Sequence, residues 1–168
     1  MQFKKLATIL IFGAADAFAE EPVRRVVVSI PDRKLALIEK GKVTRMYDVA
    51  VGKAKTPSPT GVFQVATLVP HPTWYKPGRV VPPGKSNPLG SRWIGLSRKG
   101  YGIHGTNEPR SIGKPASHGC IRMRKQDLEE LFATVSVGDT VELVNELNEE
   151  QAMLFAGLTD AVTAGGGE

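Results

Sequence analysis

The stretch RRVVVSIPDRKLALIEKGKVTRMYDVAV, residues Arg24–Val51, decides the fold class of this chain. It contains three runs rich in Val, Ile and Leu, namely Arg24–Ile30, Lys34–Lys40 and Lys42–Val51, and Pro, Asp and Gly residues lie between them. Such runs, bounded by turn-forming residues, are typical of short strands. The stretch therefore predicts a meander of antiparallel strands.

The following residues extend this β pattern. Four further strands are predicted, over Gly61–Val69, Ser91–Ser97, Gly100–Gly105 and Gly138–Val144. The segment DLEELFATV, residues 127–135, has apolar residues at helical spacing, and Asp127 is predicted to cap this helix with Glu130 three residues on. The fold class is therefore mainly β, a sandwich or barrel-like domain with one short helix.

The two ends of the chain are predicted to lie outside that domain. Residues 1–19 have two lysines, a short apolar run and a small-x-small site, which is the layout of a cleaved secretory signal peptide. The apolar run is too short to span a bilayer, which needs about 20 residues. In the tail, residues 145–168, a short helix is predicted to begin at Asn148 with Gln151 in a capping box, followed by disorder.

Composition limits the possible partners. Removal of residues 1–19 takes two lysines and one aspartate, so the formal net charge falls from +5 to +4. This mild charge, without a basic cluster interleaved with aromatics, does not indicate nucleic-acid binding. An exported protein without a membrane span is predicted, periplasmic where the cell has an outer membrane.

A proline-rich segment, Pro70 to Gly90, interrupts the strand pattern. Its six prolines exclude a regular helix or a central strand. A loop of this length inside a compact domain is usually functional or disordered. Because this one also carries His71, Trp74 and Tyr75, two interpretations stay open. It is either a lid or wall beside a substrate, or a surface excursion whose aromatic residues pack on the core.

The stretch SHGCIRM, Ser117–Met123, contains the only cysteine of the chain. An unpaired cysteine in an exported protein indicates a reactive thiol, although a buried thiol can also act as a small hydrophobe. A nearby imidazole would activate Cys120 as a nucleophile. His118 would share its face if both lay in a strand, whereas His104 ends a separate strand, so the spacing leaves both open as the base.

Two glycines lie next to the candidate histidines. Gly105 and Gly119 leave the backbone open there, and Gly119 would let N–H groups near Cys120 point at a developing oxyanion. Zinc is the competing interpretation of Cys and His residues. One residue between His118 and Cys120 is shorter than the usual ligand spacing, so a metal site is not predicted.

Three segments together resemble a known family, the L,D-transpeptidase catalytic domain, often called the YkuD domain. They are TPSPTGVFQV (56–65), NPLGSRWIGLS (87–97) and GIHGTNEPRSIGKPASHGCIRM (102–123), and the resemblance extends over residues 23–144. It implies a sandwich-type β fold, Cys120 as the nucleophile that forms a thioester, and His104 as general base with a backbone carbonyl orienting its ring. It also implies that a few neighbours shape the pocket and the oxyanion site, namely Ser117, His118, Gly119 and Gly105.

The resemblance implies a reaction on a peptidoglycan stem tetrapeptide, in which terminal D-Ala leaves and an amine accepts the acyl group. The amine of a second stem peptide or of an outer-membrane protein would give transfer, a free D-amino acid would give exchange, and water would give hydrolysis. The resemblance implies no cofactor. A wall-binding module with an inert thiol is the non-enzymatic alternative. Arg122 is expected to bind a substrate carboxylate, unless it is a surface arginine, and the aromatic residues expected to contact substrate are Tyr101, Trp74 and Tyr75.

Overall fold

The computed structural model describes residues 24–163 and begins with the predicted meander. Strands β1 (Arg24–Ser29), β2 (Lys34–Glu39) and β3 (Lys42–Gly52) pair antiparallel in chain order, which confirms that prediction. Lys40 and Gly41 form the turn between β2 and β3 with φ of 51° and 72°. Positive φ at both central residues is the geometry that matches the twist of a two-residue hairpin.

The other elements follow within short distances along the chain. The strands are β4 (Gly61–Pro70), β5 (Trp74–Lys76), β6 (Arg79–Val81), β7 (Arg92–Leu96), β8 (Gly102–His104), β9 (Pro115–Ser117), β10 (Ile121–Met123) and β11 (Thr140–Val144). The helices are a 3₁₀ turn (Pro109–Ser111), α1 (Lys125–Thr134) and α2 (Glu149–Thr163).

Eight of the strands close into a barrel. Their order is β10-β8-β7-β4-β11-β1-β2-β3, and β3 pairs back with β10 to complete the ring. Strand β9 adds to β3, whereas β5 and β6 pair only with each other. Closure removes the free edges of the sheet. The barrel-like alternative of the predicted fold class is therefore confirmed.

Two hydrophobic clusters explain why β1 and β2 are apolar without alternation. Inside the barrel, Val26, Val28 and Leu37 pack with residues from the other strands and with Leu128 and Leu131 of α1. On the opposite face of β1 and β2, Val27, Ala36 and Ile38 pack against Phe155 of helix α2. Strands covered on both faces have continuous hydrophobic sequences.

The two predicted helix caps have different outcomes. The helix after the cysteine begins at Lys125 with Arg124 as its N-cap residue and no side-chain cap, so the predicted cap at Asp127 is wrong. Asp127 lies in the first turn because the chain enters α1 directly from β10. The predicted capping box of α2 is present, since Asn148 Oδ1 accepts from the Gln151 N–H at 2.8 Å and Gln151 Oε1 accepts from the Asn148 N–H at 3.1 Å.

Helix α2 extends to Thr163, which is longer than the short helix predicted. The predicted signal peptide and the end of the predicted disordered tail lie outside the described residues. Over residues 24–163, no helix combines the length and the apolar character that a membrane crossing requires.

The proline-rich segment contains a small hairpin rather than a continuous loop. Strands β5 and β6 are three residues each and form a two-stranded sheet outside the barrel. This arrangement agrees with the exclusion of a central strand, because neither β5 nor β6 pairs with a barrel strand. The hairpin faces the side chains of His104 in β8 and Arg122 in β10 across a cleft.

Candidate functional site

A cleft of about 940 Å³ lies between the barrel and the β5–β6 hairpin. Its floor contains Cys120, His104, Arg122 and Trp93, and its rim contains His118. Trp74 and Tyr75 of the hairpin form the opposite wall. Segments far apart in sequence thus bring the thiol and all three histidines, His71, His104 and His118, into one cavity.

The register of β8 and β10 decides which side chains face the cleft. The strands run parallel, with Ile121 opposite Ile103 and Arg122 opposite His104. Both isoleucines are fully buried in the barrel core. Because side chains alternate along a strand, His104 and Arg122 point to the other face, and Cys120 precedes β10 on that same side.

The loop before Cys120 is held by Ser117. The Ser117 hydroxyl donates to the Cys120 carbonyl at 2.5 Å and accepts from the Gly119 N–H at 3.0 Å. Gly119 has φ of 114°, and a Cβ at this residue would lie 2.7 Å from Cε1 of Tyr101. The position therefore requires glycine both for its backbone and for its space.

The Cys120 thiol is half-buried at the floor of the cleft. Its sulfur lies 3.7 Å from the Gly100 carbonyl oxygen. Burial raises the pKa of the thiol, and a backbone hydrogen bond from Gly102 and the charge of Arg122 offset part of that rise. Cys120 is therefore a thiol at neutral pH, and reaction requires a base to remove its proton.

His104 is buried and oriented by two contacts. Its Nδ1 lies 2.6 Å from the Gly105 carbonyl, which can only accept, so Nδ1 carries the hydrogen and Nε2 is left as the proton acceptor. The Trp93 ring stacks on the imidazole at a centroid distance of 5.7 Å. Burial lowers the pKa of His104 to about 4, so the imidazole is neutral at pH 7.

His118 has a different environment from His104. It is exposed at the rim of the cleft, and in the described structure its side chain has no hydrogen-bond or ion-pair partner. Residues 118–120 form a bend between β9 and β10 rather than a strand. The condition under which His118 and Cys120 would share a strand face is therefore not met.

Arg122 is largely buried, with 15% of its side chain exposed. Its Nη1 lies 3.3 Å from Oε2 of Glu108, and its Nε is buried without a hydrogen-bond partner. Glu108 is 68% exposed at the rim of the cleft, so the pair is open to solvent on one side. A guanidinium in a cleft, whose ion-pair partner is itself largely exposed, is suited to bind a second carboxylate. This burial does not fit a simple surface arginine.

The aromatic residues expected to contact substrate lie in two places. Trp74 and Tyr75 line the cleft, and Tyr75 is 73% exposed, so it does not pack on the core. Tyr101 packs instead against Gly119, under the guanidinium of Arg98 at 5.1 Å. Tyr101 therefore supports the cysteine loop from behind.

Gly105 lies in tight backbone contact with Gly90. A Cβ at Gly105 would be 2.9 Å from the Gly90 Cα, and the Gly105 N–H donates to the Leu89 carbonyl at 2.8 Å. Gly105 therefore fixes the carbonyl that orients His104, which is a more specific role than an open backbone.

Sequence reasoning missed Trp93, Glu108 and Asn87. The sequence places Trp93 only in a strand, although its position opposite His104 in the β7–β8 pair makes it a stacking partner. Asn87 is fully buried, and an asparagine inside a proline-rich segment was the available signal. Among the side chains of residues 24–156, no three His, Cys, Asp or Glu residues are grouped as they would be around a metal ion.

Comparisons with known proteins agree on one family. The family model of the YkuD domain, described as the L,D-transpeptidase catalytic domain, matches residues 23–143. The YkuD protein of Bacillus licheniformis is 40% identical over 119 residues, which cover 71% of this chain and 64% of that protein. The YqjB protein of Bacillus subtilis is 40% identical over 126 residues, covering 72% and 71%. The chain thus spans less than two thirds of the first relative.

Solved structures show the same fold. An Enterococcus faecium L,D-transpeptidase has a TM-score of 0.62 at 25% identity and covers 72% of this chain and 49% of its own. An L,D-transpeptidase from Mycobacterium smegmatis has a TM-score of 0.62 at 23% identity and covers 73% and 59%. The Ldtfm–avibactam carbamoyl enzyme has a TM-score of 0.63 at 26% identity and covers 74% and 50%.

Proposed function

Because the chain belongs to the L,D-transpeptidase catalytic-domain family, we propose that it is an acyltransferase that uses Cys120 on peptidoglycan stem tetrapeptides. One observation carries this proposal. The thiol and a neutral imidazole face the same cleft, and the hydrogen bond to Gly105 leaves Nε2 of that imidazole free to accept a proton. This is the arrangement of a nucleophile with its general base.

The proposed acylation begins with a thiol rather than a preformed thiolate. The Cys120 proton passes to Nε2 of His104 as the sulfur attacks the carbonyl carbon of the third residue. A C–S bond forms and a tetrahedral oxyanion develops. His104 then returns the proton to the amide nitrogen, the C–N bond breaks, and D-Ala leaves. The positive charge of Arg122 supports the removal of the thiol proton, because it stabilises negative charge on the sulfur.

The backbone around Cys120 is proposed to stabilise the oxyanion. The Ser117 hydroxyl occupies the Gly119 N–H, so the N–H of Cys120 itself is the neighbouring donor that Ser117 does not use. In this proposal Ser117 and Gly119 shape the loop, and Cys120 supplies both sulfur and amide. Donors fixed in advance of the reaction are the usual source of oxyanion stabilisation.

The second half-reaction is proposed to be transfer to an amine. The amine attacks the thioester carbonyl, His104 takes its proton, and the C–S bond breaks so that the thiolate recovers a proton. Trp74 and Tyr75 support transfer over hydrolysis, because a wall beside the thioester excludes water. Three amine acceptors fit this step, namely a stem peptide, an outer-membrane protein and a free D-amino acid, and a wall hydrolase is the alternative. The predicted signal peptide supports export as the setting for these substrates.

Labelling with a carbapenem-type β-lactam tests this function without a purified substrate. We expect the intact mass to rise by one adduct and peptide mapping to place it on Cys120. The avibactam adduct of a related enzyme supports the choice of a covalent probe. The acylation rate of His104→Ala should be about 10²–10⁴-fold lower than that of wild type, since general-base catalysis is lost.

His118→Ala is the matched control because His118 lines the same cleft but is exposed at its rim. Its acylation rate should stay within tenfold of wild type. A slower rate for His118→Ala than for His104→Ala would reverse the assignment of the base. No adduct at all would support the inert wall-binding module instead.

A further inference from the structure

Asn87 is a buried residue that the proposed mechanism does not use. It has no exposed surface, and every polar atom of its side chain is bonded. Its Nδ2 donates to the Pro72 carbonyl at 2.8 Å and to the Val81 and Pro82 carbonyls at 3.2 Å each. Its Oδ1 accepts from the Leu89 N–H at 2.8 Å.

The three acceptors of Nδ2 lie at the two ends of the β5–β6 hairpin. Pro72 precedes β5, Val81 ends β6, and Pro82 follows it. The hairpin has no ladder hydrogen bonds to the barrel, and a two-stranded hairpin alone is marginally stable in water. Hydrogen bonds from Asn87 therefore hold the chain before β5 and the chain at the end of β6, so that one side chain fixes both strands of the hairpin.

The acceptor atom of Asn87, Oδ1, begins a series of hydrogen bonds that ends at His104, the proposed base. The Leu89 N–H that it binds belongs to the residue whose carbonyl accepts from the Gly105 N–H at 2.8 Å. The Gly105 carbonyl in turn accepts from Nδ1 of His104 at 2.6 Å. Three successive hydrogen bonds thus connect the Asn87 side chain to the imidazole.

The segment that carries Asn87 lies between two cavities. Pro88 and Leu89 line the cleft, while Asn87 and Gly90 line a second cavity of about 340 Å³. One tight backbone contact, between Gly90 and Gly105, holds the end of this segment. The hydrogen bonds of the Asn87 side chain add to that contact in setting where the segment lies.

We propose that Asn87 is a positioning residue that sets both the wall of the cleft and the orientation of His104. The proposal rests on the proposed cysteine chemistry only for its kinetic consequences. It has two separable parts, since the Nδ2 donors hold the hairpin and the Oδ1 acceptor holds Leu89. Different substitutions at Asn87 remove one part or both.

Asn87→Asp and Asn87→Ala test the two parts. Aspartate keeps an acceptor for the Leu89 N–H but presents a second oxygen to three carbonyls, so the hairpin amides should lose hydrogen-exchange protection and KM for a tetrapeptide should rise at least fivefold. Alanine removes both parts. The Leu89 and Gly105 amides should then also lose protection, the Nδ1–H signal of His104 should shift, and acylation should slow at least tenfold.

Gln151→Ala is the control for a purely structural effect. Gln151 also has a buried side-chain amide, with two hydrogen bonds, but it caps α2 away from the cleft. The substitution should lower amide protection uniformly, as a loss of global stability does, without changing the acylation rate of the folded protein. Uniform loss of protection in the Asn87 variants, as in this control, would overturn the proposal.

If neither Asn87 variant folds, hydrogen exchange of the wild-type protein tests the proposal. We expect the Leu89 amide to be protected to the same degree as the Gly105 amide, because one network holds both. An unprotected Leu89 amide beside a protected Gly105 would overturn the proposal. If the wild type shows the expected exchange but no acylation, the proposed function fails while the positioning role of Asn87 stands.

Discussion

Arg122 lies directly opposite His104 across the parallel pair β8–β10, so a guanidinium and an imidazole share one face of the cleft. The positive charge lowers the pKa of His104, adding to the larger effect of burial, and it also lowers the pKa of the Cys120 thiol against the rise that burial causes. The charge of Arg122 thus favours the neutral form of His104 and the thiolate form of Cys120.

The pH dependence of stability follows from the pKa of about 4 at His104. An unfolded histidine titrates near 6.5, so between these values the unfolded chain binds more protons and the free energy of unfolding falls as pH falls. We expect His104 to contribute a loss of about 3 kcal/mol between pH 7 and pH 4. Urea unfolding of wild type and His104→Gln across this range measures the difference, and an NMR midpoint of 6 or higher for His104 would contradict it.

Glu108 is expected to compete with the substrate for Arg122. Its contact with Nη1 at 3.3 Å is exposed, and exposed ion pairs are weak enough for another carboxylate to replace them. Glu108→Gln should lower KM for a tetrapeptide about two- to fivefold with kcat unchanged, because the guanidinium is no longer shared. Glu146→Gln, the same charge change at an exposed residue of the tail, should leave KM unaltered. A raised KM in Glu108→Gln would show that Glu108 helps binding.

Gly90 and Gly78 form a matched pair for the backbone contact behind His104. Their φ values are similar, 68° and 74°, but a Cβ at Gly90 would lie 2.7 Å from the Gly105 Cα, whereas nothing lies within 4 Å of one at Gly78. Gly78→Ala should cost about 1 kcal/mol for its φ alone. Gly90→Ala should cost about 2–4 kcal/mol and slow acylation, because the obstructing atom is backbone. Equal effects in urea unfolding would contradict this interpretation.

Tyr75 is expected to decide the balance between transfer and hydrolysis. Its side chain is 73% exposed on the wall, so Tyr75→Ala should change stability by less than about 0.5 kcal/mol. Water should then reach the thioester more easily, and the fraction of tripeptide among the products should at least double. Val62→Ala removes a similarly exposed apolar side chain from β4 as a control. An unchanged product ratio would mean that the wall does not exclude water.

The sequence predicted the β meander and the closing strand because their apolar runs and turn residues are local signals. It could not decide between sandwich and barrel, since closure depends on the pairing of β3 with β10, about 70 residues later. The predicted helix start was wrong because a motif at Asp127 suggested a cap, whereas the chain enters α1 without one.

Some features of the site could also be predicted from local sequence, and others depend on the tertiary structure. Cys120, His104 and Arg122 lie in recognisable motifs, but their common face depends on the register of β8 and β10, which no local pattern states. In the sequence, Gly90 and Gly105 cannot be distinguished from any other glycine. Only the folded structure shows that their backbones are in contact. Asn87 acts through carbonyls on both sides of a hairpin, which is a tertiary arrangement.

Incubation with purified tetrapeptide muropeptides, followed by mass spectrometry, tests the central claim most directly. We expect wild-type protein to release D-Ala and to carry a transient acyl adduct on Cys120. Folded Cys120→Ala should release no D-Ala, with circular dichroism showing that the barrel is intact. Turnover by folded Cys120→Ala would contradict the assignment of Cys120 as the nucleophile.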